Sequence, residues 1–232
     1  MGELSLSEVW EAKANEWAAW ARTPGHDAYF WQLNWPAFAR LLPPGGRETL
    51  DVGCGEGRVG RELVRFGHRV TGVDSSPTLA ALAREAGGYE RVVCASAARL
   101  PFPDRTFDMA IAFMSLMNMD EPAAVVREIA RVLEPGSVLC VAIVHPLNRT
   151  ESATADYFRT HRAPMVVERD GLRMSFEDVQ RPLEAYAGAL TAAGFAIEEL
   201  REPRADAESS GEVLAPAARR PYFLHLRSRL QS

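Results

Sequence analysis

Alternating glycines that follow a short apolar segment near residue 50 are the first candidate for chemistry. Glycine falls at every second position after an acid, and the residues with this spacing are Asp51, Gly53, Gly55 and Gly57. Because glycine accepts positive φ and has no Cβ, such a backbone can closely approach a ligand. A buried strand ending at Val52 and a helix opening near Arg58 would hold this loop at the edge of a sheet. The pattern predicts a small-molecule binding loop.

A second acid ends the next apolar segment. Asp74 lies 21 residues after Gly53 (74 − 53), close to the spacing of about 20 at which an acid reaches a ribose. A carboxylate there can accept hydrogen bonds from both ribose hydroxyls. Aspartate is also a favoured helix N-cap residue, and Ser75, Ser76 and Pro77 follow it, so a cap is the alternative. Together with the glycine loop, Asp74 favours ribose binding.

Two kinds of nucleoside ligand fit this combination. The segment Gly55–Gly60 matches the Gly-x-Gly-x-x-Gly pattern of dinucleotide sites, in which backbone amides at a helix N-terminus hold a pyrophosphate. Asp51 and Glu56 flank the loop, and two carboxylates beside a pyrophosphate are unfavourable. S-adenosylmethionine (SAM) has no phosphate and carries a sulfonium and an ammonium, which suit an acid. Charge therefore favours SAM over NAD.

Two segments resemble a known family. Leu50–Gly57 resembles the acid-x-Gly-x-Gly-x-Gly motif of class I SAM-dependent methyltransferases, and Cys94–Phe102 resembles their Gly-Asp-Ala-x-x-Leu-Pro-Phe segment. The resemblance covers about Leu50 to Pro146. Within the family, the chain resembles the bacterial, type 11-like methyltransferases that act on small molecules. It implies a Rossmann-like α/β fold with helices on both faces of a seven-stranded, mostly parallel sheet. The implied strand order is 3-2-1-4-5-7-6, with six strands parallel and one antiparallel.

The resemblance also implies where SAM binds. Its family places an acid on the adenine amino group, but Ser96 stands at that position here, and a hydroxyl accepts a weaker hydrogen bond than a carboxylate. Met114, at the end of the fourth strand, would face the methionyl part, with core packing as the alternative. Arg22 is a candidate partner for the SAM carboxylate, and a solvated arginine is the alternative. The expected cofactor contacts are Asp51, Gly53, Cys54, Gly55, Gly57, Asp74, Ser75, Ser96, Ala97, Ala98, Met114 and Arg22.

His145 is the histidine best placed for catalysis. It directly follows the fifth predicted strand, and open α/β sheets bind ligands at the carboxyl ends of their strands. A histidine beside the acceptor could remove a proton from a nucleophilic oxygen or nitrogen. The alternative is that His145 hydrogen-bonds the backbone at a strand-to-loop corner. No Cys-x-x-Cys or His-Glu-x-x-His pattern occurs, so the sequence predicts no metal site.

Alternating strand and helix patterns position these residues. Strands are predicted at 49–52, 69–73, 91–95, 107–113, 138–144, 195–200 and 222–226. Helices are predicted at 59–66, 77–86, 122–133 and 183–193. The almost continuous apolar run at 138–144 indicates burial on both faces, as in a parallel sheet. We expect one domain with an N-terminal helical cap (1–46), a SAM-binding core (47–145), a small lid insertion (146–181) and a C-terminal part of the core (182–232).

The composition of the chain limits which binding partners and which cellular compartment we expect for the protein. The net charge is −5 and no basic stripe occurs, which disfavours nucleic acid. No apolar run approaches the ~20 residues of a membrane helix. The acidic start lacks an apolar signal segment, and Cys54, Cys94 and Cys140 have no paired spacing, so we expect a reduced, cytoplasmic protein. Lys13 is the single lysine, and the preference for arginine suggests a GC-rich bacterial genome.

The sequence therefore predicts transfer of the methyl group of SAM to an O, N or C nucleophile of a small-molecule acceptor, with S-adenosylhomocysteine as product. Two alternatives are a SAM-fold enzyme that catalyses a different reaction and a non-catalytic SAM-binding protein. No motif specifies the acceptor or the oligomeric state.

Overall fold

The computed structural model of the chain describes residues 4–149, 156–206 and 211–232. Its strands are β1 (Glu48–Val52), β2 (Arg69–Asp74), β3 (Arg91–Cys94), β4 (Phe107–Phe113), β5 (Leu133–Val144), β6 (His161–Arg169), β7 (Leu172–Gln180), β8 (Phe195–Arg201) and β9 (Phe223–Leu230). Its helices are α1 (Leu6–Arg22), α2 (Trp35–Ala39), α3 (Arg58–Arg65), α4 (Pro77–Ala86), α5 (Pro122–Val132), α6 (Leu183–Ala192) and α7 (Gly211–Leu214). A π-helical turn, Tyr29–Asn34, precedes α2.

Seven strands form one sheet in the order β3-β2-β1-β4-β5-β9-β8. Neighbours from β3 through β5 pair in parallel, whereas β9 is antiparallel to both β5 and β8. Because β6 and β7 pair only with each other, this is the 3-2-1-4-5-7-6 order with one antiparallel strand. The predicted Rossmann-like α/β fold is confirmed.

Helices cover both faces of the sheet because side chains of the central strands alternate between two apolar clusters. On β4, Ala110 and Ala112 pack with residues of α5 and α6. Met109, Ile111 and Phe113 point the other way and pack with residues of α2 and α3. Burial on both faces explains why these strands are almost continuously apolar in sequence.

The hairpin of β6 and β7 is the main element that the sequence prediction missed. It turns at Asp170 and Gly171, whose φ angles of 51° and 78° are both positive, as a two-residue type I′ turn requires. An aspartate–glycine pair is a typical signal for this turn, so the hairpin was detectable. The predicted lid thus contains a β-hairpin, although residues 150–155 of that segment lie outside the described part of the chain.

Helix α1 is fixed between the sheet and the hairpin by two carboxylates. The Glu11 carboxylate accepts hydrogen bonds from the Ser76 hydroxyl and from the Thr78 backbone N–H and hydroxyl, at the start of α4. Glu16 accepts from the Ser175 backbone N–H at 3.1 Å and from its hydroxyl at 2.7 Å, on β7. The N-terminal helix is therefore attached to the carboxyl edge of the sheet on one side and to the hairpin on the other.

The ring of Tyr89 occupies a slot made by two glycines beneath the glycine loop. A Cβ added at Gly60, in α3, would overlap the ring and hydroxyl of Tyr89, and a Cβ at Gly72, in β2, would lie 2.8 Å from Tyr89 Cε1. The ring also packs with Cys54, Ala83 and other residues of a small apolar cluster. Glycine at both positions is what allows a tyrosine to reach this depth.

This slot gives a stability prediction with a matched control. Gly60→Ala should lower the free energy of unfolding by about 1–3 kcal/mol, because the new methyl group displaces a buried ring. Gly188→Ala, also within a helix, meets nothing within 4 Å and should raise it by up to about 1 kcal/mol through helix propensity. Urea denaturation of both variants measures the difference. A Gly60→Ala variant as stable as the parent would contradict the observed placement of Tyr89.

Candidate functional site

A cavity of about 620 Å³ opens where β1, β2, β4 and β5 end. Its walls come from the glycine loop, Asp74, the segment after β3, the segment after β4, helix α1 and the hairpin. This volume lies within the range of small-molecule sites, and the carboxyl edge is where open α/β sheets bind ligands. The sequence-predicted residues that line it are Asp51, Gly53, Cys54, Gly55, Asp74, Ser75, Ser96, Ala97, Ala98 and Met114.

Four backbone amides of the glycine loop are already hydrogen-bonded within the protein. The N–H groups of Gly53 and Cys54 both donate to the Val73 carbonyl, at 2.8 and 3.0 Å. The Gly55 N–H donates to Asp74 Oδ2 at 2.8 Å, and the Gly57 N–H donates to the Cys54 carbonyl. A pyrophosphate needs such amides unpaired. These four amides are therefore not free to bind a phosphate, and what the loop offers a ligand is the close approach of its backbone.

Close approach explains why Gly53 is a glycine. Its φ is +74°, and a Cβ there would lie 2.5 Å from Ser115 Cβ. The Ser115 hydroxyl in turn donates to the Val52 carbonyl at 2.5 Å. The loop is thus fixed against the segment that follows β4. Gly57 is the N-cap residue of α3 and does not itself line the cavity, so its role is to turn the chain into the helix.

Two carboxylates, the buried Asp51 and the part-buried Asp74, dominate the electrostatics of the site. Burial raises the pKa of Asp51 to about 7, against a hydrogen bond from Tyr89 that lowers it, and the nearby Asp74 raises it further. Burial also raises the pKa of Asp74, which backbone amides, chiefly those of Ser76 and Gly55, partly oppose. Both carboxylates would be stabilised by a cation or by hydroxyl donors entering the cavity.

Asp74 orders both the glycine loop and the turn before α4, while the N-cap that the sequence offered as the alternative role is another residue. Its Oδ1 accepts from the Ser76 N–H at 2.9 Å in a local turn, while Oδ2 orders the glycine loop through Gly55. The N-cap of α4 itself is Ser76, whose hydroxyl accepts from the Leu79 N–H. Since Asp74 lines the cavity and each carboxylate oxygen has a second lone pair, it can still accept from ligand hydroxyls.

Arg22 does not have the position expected for a carboxylate-binding residue. Its Nε donates to Glu56 at 2.8 Å and its Nη2 to the Leu82 carbonyl at 3.0 Å, and it does not line the cavity. Glu56 is also paired with Arg61 at 3.1 Å. Arg22 therefore neutralises a buried acid of the loop, and Glu56 is not the uncompensated charge on which the sequence argument against pyrophosphate partly relied.

Arg58 lies in the cavity instead. Its guanidinium pairs with Asp27 at 2.8 Å and stacks over two rings, 3.8 Å from the Phe30 centroid and 4.9 Å from that of Trp17. Burial lowers its pKa, and Asp27 opposes that effect. Arg58 and Asp27 attach the π-helical turn to the start of α3, so the cavity wall contains a charge pair that the sequence prediction missed.

The segments after β3 and β4 supply smaller residues. Ser96 is exposed at the cavity, and its hydroxyl accepts from the Ala98 N–H at 3.3 Å. Met114 adopts φ of +55°, a left-handed conformation that is unfavourable for a residue that has a Cβ atom. Such strained positions cluster at functional sites. Both residues therefore lie where the sequence predicted them.

Much of the remaining wall of the cavity is aromatic, and we call it the aromatic wall; most of its residues were not predicted from the sequence. Tyr29 stacks on Tyr222 with ring centroids 5.0 Å apart, and Trp20 carries the guanidinium of Arg169 at 5.3 Å from its ring. Further apolar side chains of this wall, from α1, β4, the hairpin and β9, are Trp10, Trp17, Phe113, Val167, Met174, Phe176 and Phe223. They come from distant parts of the chain, and only the hairpin carried a local signal, its turn.

His145 is held in a structural position. Its Nδ1 accepts from the Leu147 N–H at 3.1 Å, so Nε2 carries the proton and donates to Glu202 at 2.9 Å. Burial lowers its pKa, with Glu202 acting in the opposite direction. It does not line the cavity. The geometry favours the corner role that the sequence left open over the role of general base.

Two further searches cover only the part of the chain that the structure describes. No group of three or more His, Cys, Asp or Glu side chains there could hold a metal ion. No helix within the same ranges is long and apolar enough to cross a membrane.

Known proteins resemble this chain in sequence and fold. A family model described as a methyltransferase domain matches residues 50–141. The O-methyltransferase resE of Aspergillus sclerotiorum is 38% identical over 112 residues, which cover 45% of this chain and 42% of that protein. Demethylmenaquinone methyltransferase of Tropheryma whipplei is 36% identical over 104 residues, 44% of each protein. The chain thus spans less than half the length of these relatives.

A solved structure extends the likeness over most of the chain. The structure of an S-adenosylmethionine dependent methyltransferase from Mesorhizobium loti is 28% identical, covers 84% of this chain and 97% of that one, and has a TM-score of 0.66. The strand order, the glycine loop at the carboxyl edge and the acid at the end of β2 agree with these matches. In its motifs and its fold the chain is similar to class I SAM-dependent methyltransferases.

Proposed function

We propose that this protein transfers the methyl group of SAM to an O, N or C nucleophile of a small, largely apolar acceptor and releases S-adenosylhomocysteine. One observation carries the proposal. A single cavity joins the glycine loop, the buried Asp51 and the part-buried Asp74 with the aromatic wall. Nucleoside binding and acceptor binding would therefore occur in one enclosed space.

The donor set of the cavity fits SAM. Asp74 offers carboxylate lone pairs to ribose hydroxyls, and Ser96, Ala97 and Ala98 form a small-residue surface for adenine. The Asp51 carboxylate would face a ligand that carries positive charge, which relieves the cost of its burial. Four amides of the glycine loop are already paired and so are not free to bind a pyrophosphate. These features support SAM and disfavour NAD.

The protein contributes to the reaction mainly by positioning SAM and the acceptor and by excluding water. SAM, when bound, supplies an activated methyl group that an aligned nucleophile can displace. The aromatic wall would hold the acceptor, and alignment of two bound reactants is worth many orders of magnitude in rate. Tyr29 contributes a buried hydroxyl bonded to Tyr222, and burial raises its pKa. It therefore stays protonated near neutral pH and can orient an acceptor without removing its proton.

We infer that the protein works in a reducing compartment such as the cytoplasm. Cys54, Cys94 and Cys140 are all free thiols, and two of them are buried in the core. We also propose the division into cap (1–46), SAM-binding core (47–145), lid (146–181) and C-terminal part of the core (182–232), because α1 and the hairpin form the outer walls of the cavity.

Removal of the Asp74 carboxylate tests the cofactor assignment. Asp74→Ala should weaken binding of SAM and of S-adenosylhomocysteine about 10- to 100-fold, the effect of losing hydrogen bonds to a charged group. Isothermal titration calorimetry measures both. Asp104→Ala is the matched control, since Asp104 is an exposed acid paired with Arg131 away from the cavity. Equal affinity of the Asp74→Ala variant and the parent would contradict the ribose assignment.

A structural role for His145 makes a separate prediction. His145→Ala should lower the free energy of unfolding by about 1–3 kcal/mol, because the part-buried Leu147 N–H loses its acceptor, and should leave the affinity for SAM unchanged. Glu202→Gln keeps a hydrogen-bond acceptor for Nε2 and should cost less. A His145→Ala variant of parental stability that binds SAM but no longer transfers methyl groups would restore the general-base role.

A further inference from the structure

Tyr89 is a partly buried tyrosine that the proposed function does not yet use. Its hydroxyl donates to Asp51 Oδ2 at 2.7 Å and accepts from the Gly60 N–H at 3.2 Å. Asp51 lines the cavity, whereas Tyr89 lies behind it. The same hydroxyl thus connects a cavity carboxylate to the first turn of α3, the helix that the glycine loop enters.

The approach of Tyr89 to Asp51 depends on residues outside the glycine loop. Gly60 and Gly72 leave the space that the ring fills, and Val92 and Ala80 belong to the cluster around it. Neither glycine belongs to the acid-x-Gly-x-Gly-x-Gly pattern. These two glycines therefore allow the Tyr89 hydroxyl to reach the Asp51 carboxylate.

Asp51 needs such a partner because its surroundings disfavour its charge. The titratable groups that act on it are Tyr89 from the segment before β3, Asp74 from β2 and Cys54 from the glycine loop. Burial and the charge of Asp74 favour the protonated acid, and the Tyr89 hydrogen bond favours the carboxylate. Among the described residues, no cationic side chain forms an ion pair with Asp51.

We propose that Tyr89 is a positioning residue for the cofactor, which orients the Asp51 carboxylate and keeps it ionised to receive the cationic methionyl end of SAM. This inference rests on the proposed function, since it takes SAM as the ligand. It adds that cofactor affinity is set partly from beneath the loop, by a side chain that never touches the ligand.

A pH profile of cofactor binding tests the role. In the parent, SAM affinity should fall as the pH drops below about 7, because Asp51 becomes protonated. In Tyr89→Phe, the carboxylate loses its donor and its pKa rises, so the same fall should begin about one pH unit higher. Calorimetric titration of the full chain with SAM from pH 5.5 to about 9 measures both profiles.

Three further variants separate a specific effect from general damage. Val92→Ala loosens the same cluster and removes no hydrogen bond to Asp51. Its SAM affinity should therefore begin to fall at the same pH as that of the parent. Asp51→Asn provides the baseline, because it removes the titration of Asp51 and retains those of SAM and of the other groups, Asp74 included. Tyr89→Phe added to Asp51→Asn should then change SAM affinity less than twofold. Circular dichroism confirms that each variant folds.

The outcomes are distinct. An unshifted profile in Tyr89→Phe, or an equal loss of affinity in the Asp51→Asn background, would overturn the role of Tyr89. Failure of the parent to bind SAM at any pH would overturn the proposed function instead. In that case ¹³C NMR titration of the aspartate carboxyl groups in the ligand-free protein still decides whether Tyr89 acts on Asp51, since Tyr89→Phe must raise the pKa of that group. An unchanged carboxyl titration would reject the coupling.

Discussion

The removal of two carboxylates from full contact with water, at the ends of adjacent strands, is the constraint on which the site depends. Asp51 and Asp74 lie at the carboxyl edge, where parallel pairing of β1 with β2 brings them together, and both have raised pKa values. Such groups are costly unless they receive hydrogen bonds. The loop supplies them through Gly55, the turn into α4 through Ser76, and the slot beneath the loop through Tyr89. A ligand with hydroxyl donors and positive charge would complete this arrangement.

Closure of the cavity depends on polar contacts that join the outer layer to the sheet. Glu11 joins α1 to the start of α4, and Glu16 joins it to β7. Arg181 donates to the carbonyls of Met117 and Met119, at 2.8 and 2.7 Å, and so links the end of the hairpin to the segment after β4. The glycine loop, helix α1 and the hairpin, which all line the cavity, are therefore parts of one connected structure.

Local patterns predicted most of the core. Strand and helix periodicity gave every strand of the main sheet, while β9 runs beyond its predicted end because Arg227 and Arg229 pair with Glu198 on β8, a cross-strand effect that alternation does not show. The hairpin was missed although its Asp170–Gly171 turn is a local signal. Ten of the twelve expected cofactor contacts line the cavity, because the place of a residue in a local sequence motif also fixes its place at the edge of the sheet.

The remaining errors have a common physical cause. Arg22 lies on the expected helix, yet its partner Glu56 could be recognised only once α1 was placed against the loop. His145 ends the expected strand, but Glu202, which fixes its tautomer, is far along the chain. The roles of Tyr89 and Arg58 likewise follow from packing between distant segments. Charge partners and buried slots are tertiary properties, and sequence spacing does not encode them.

The central claim is that the cavity binds SAM, and calorimetric titration of the purified chain with SAM, S-adenosylhomocysteine and NAD tests it most directly. The account predicts saturable, micromolar binding of SAM and S-adenosylhomocysteine and no response to NAD. Binding of NAD, or no binding of any of the three, would contradict it.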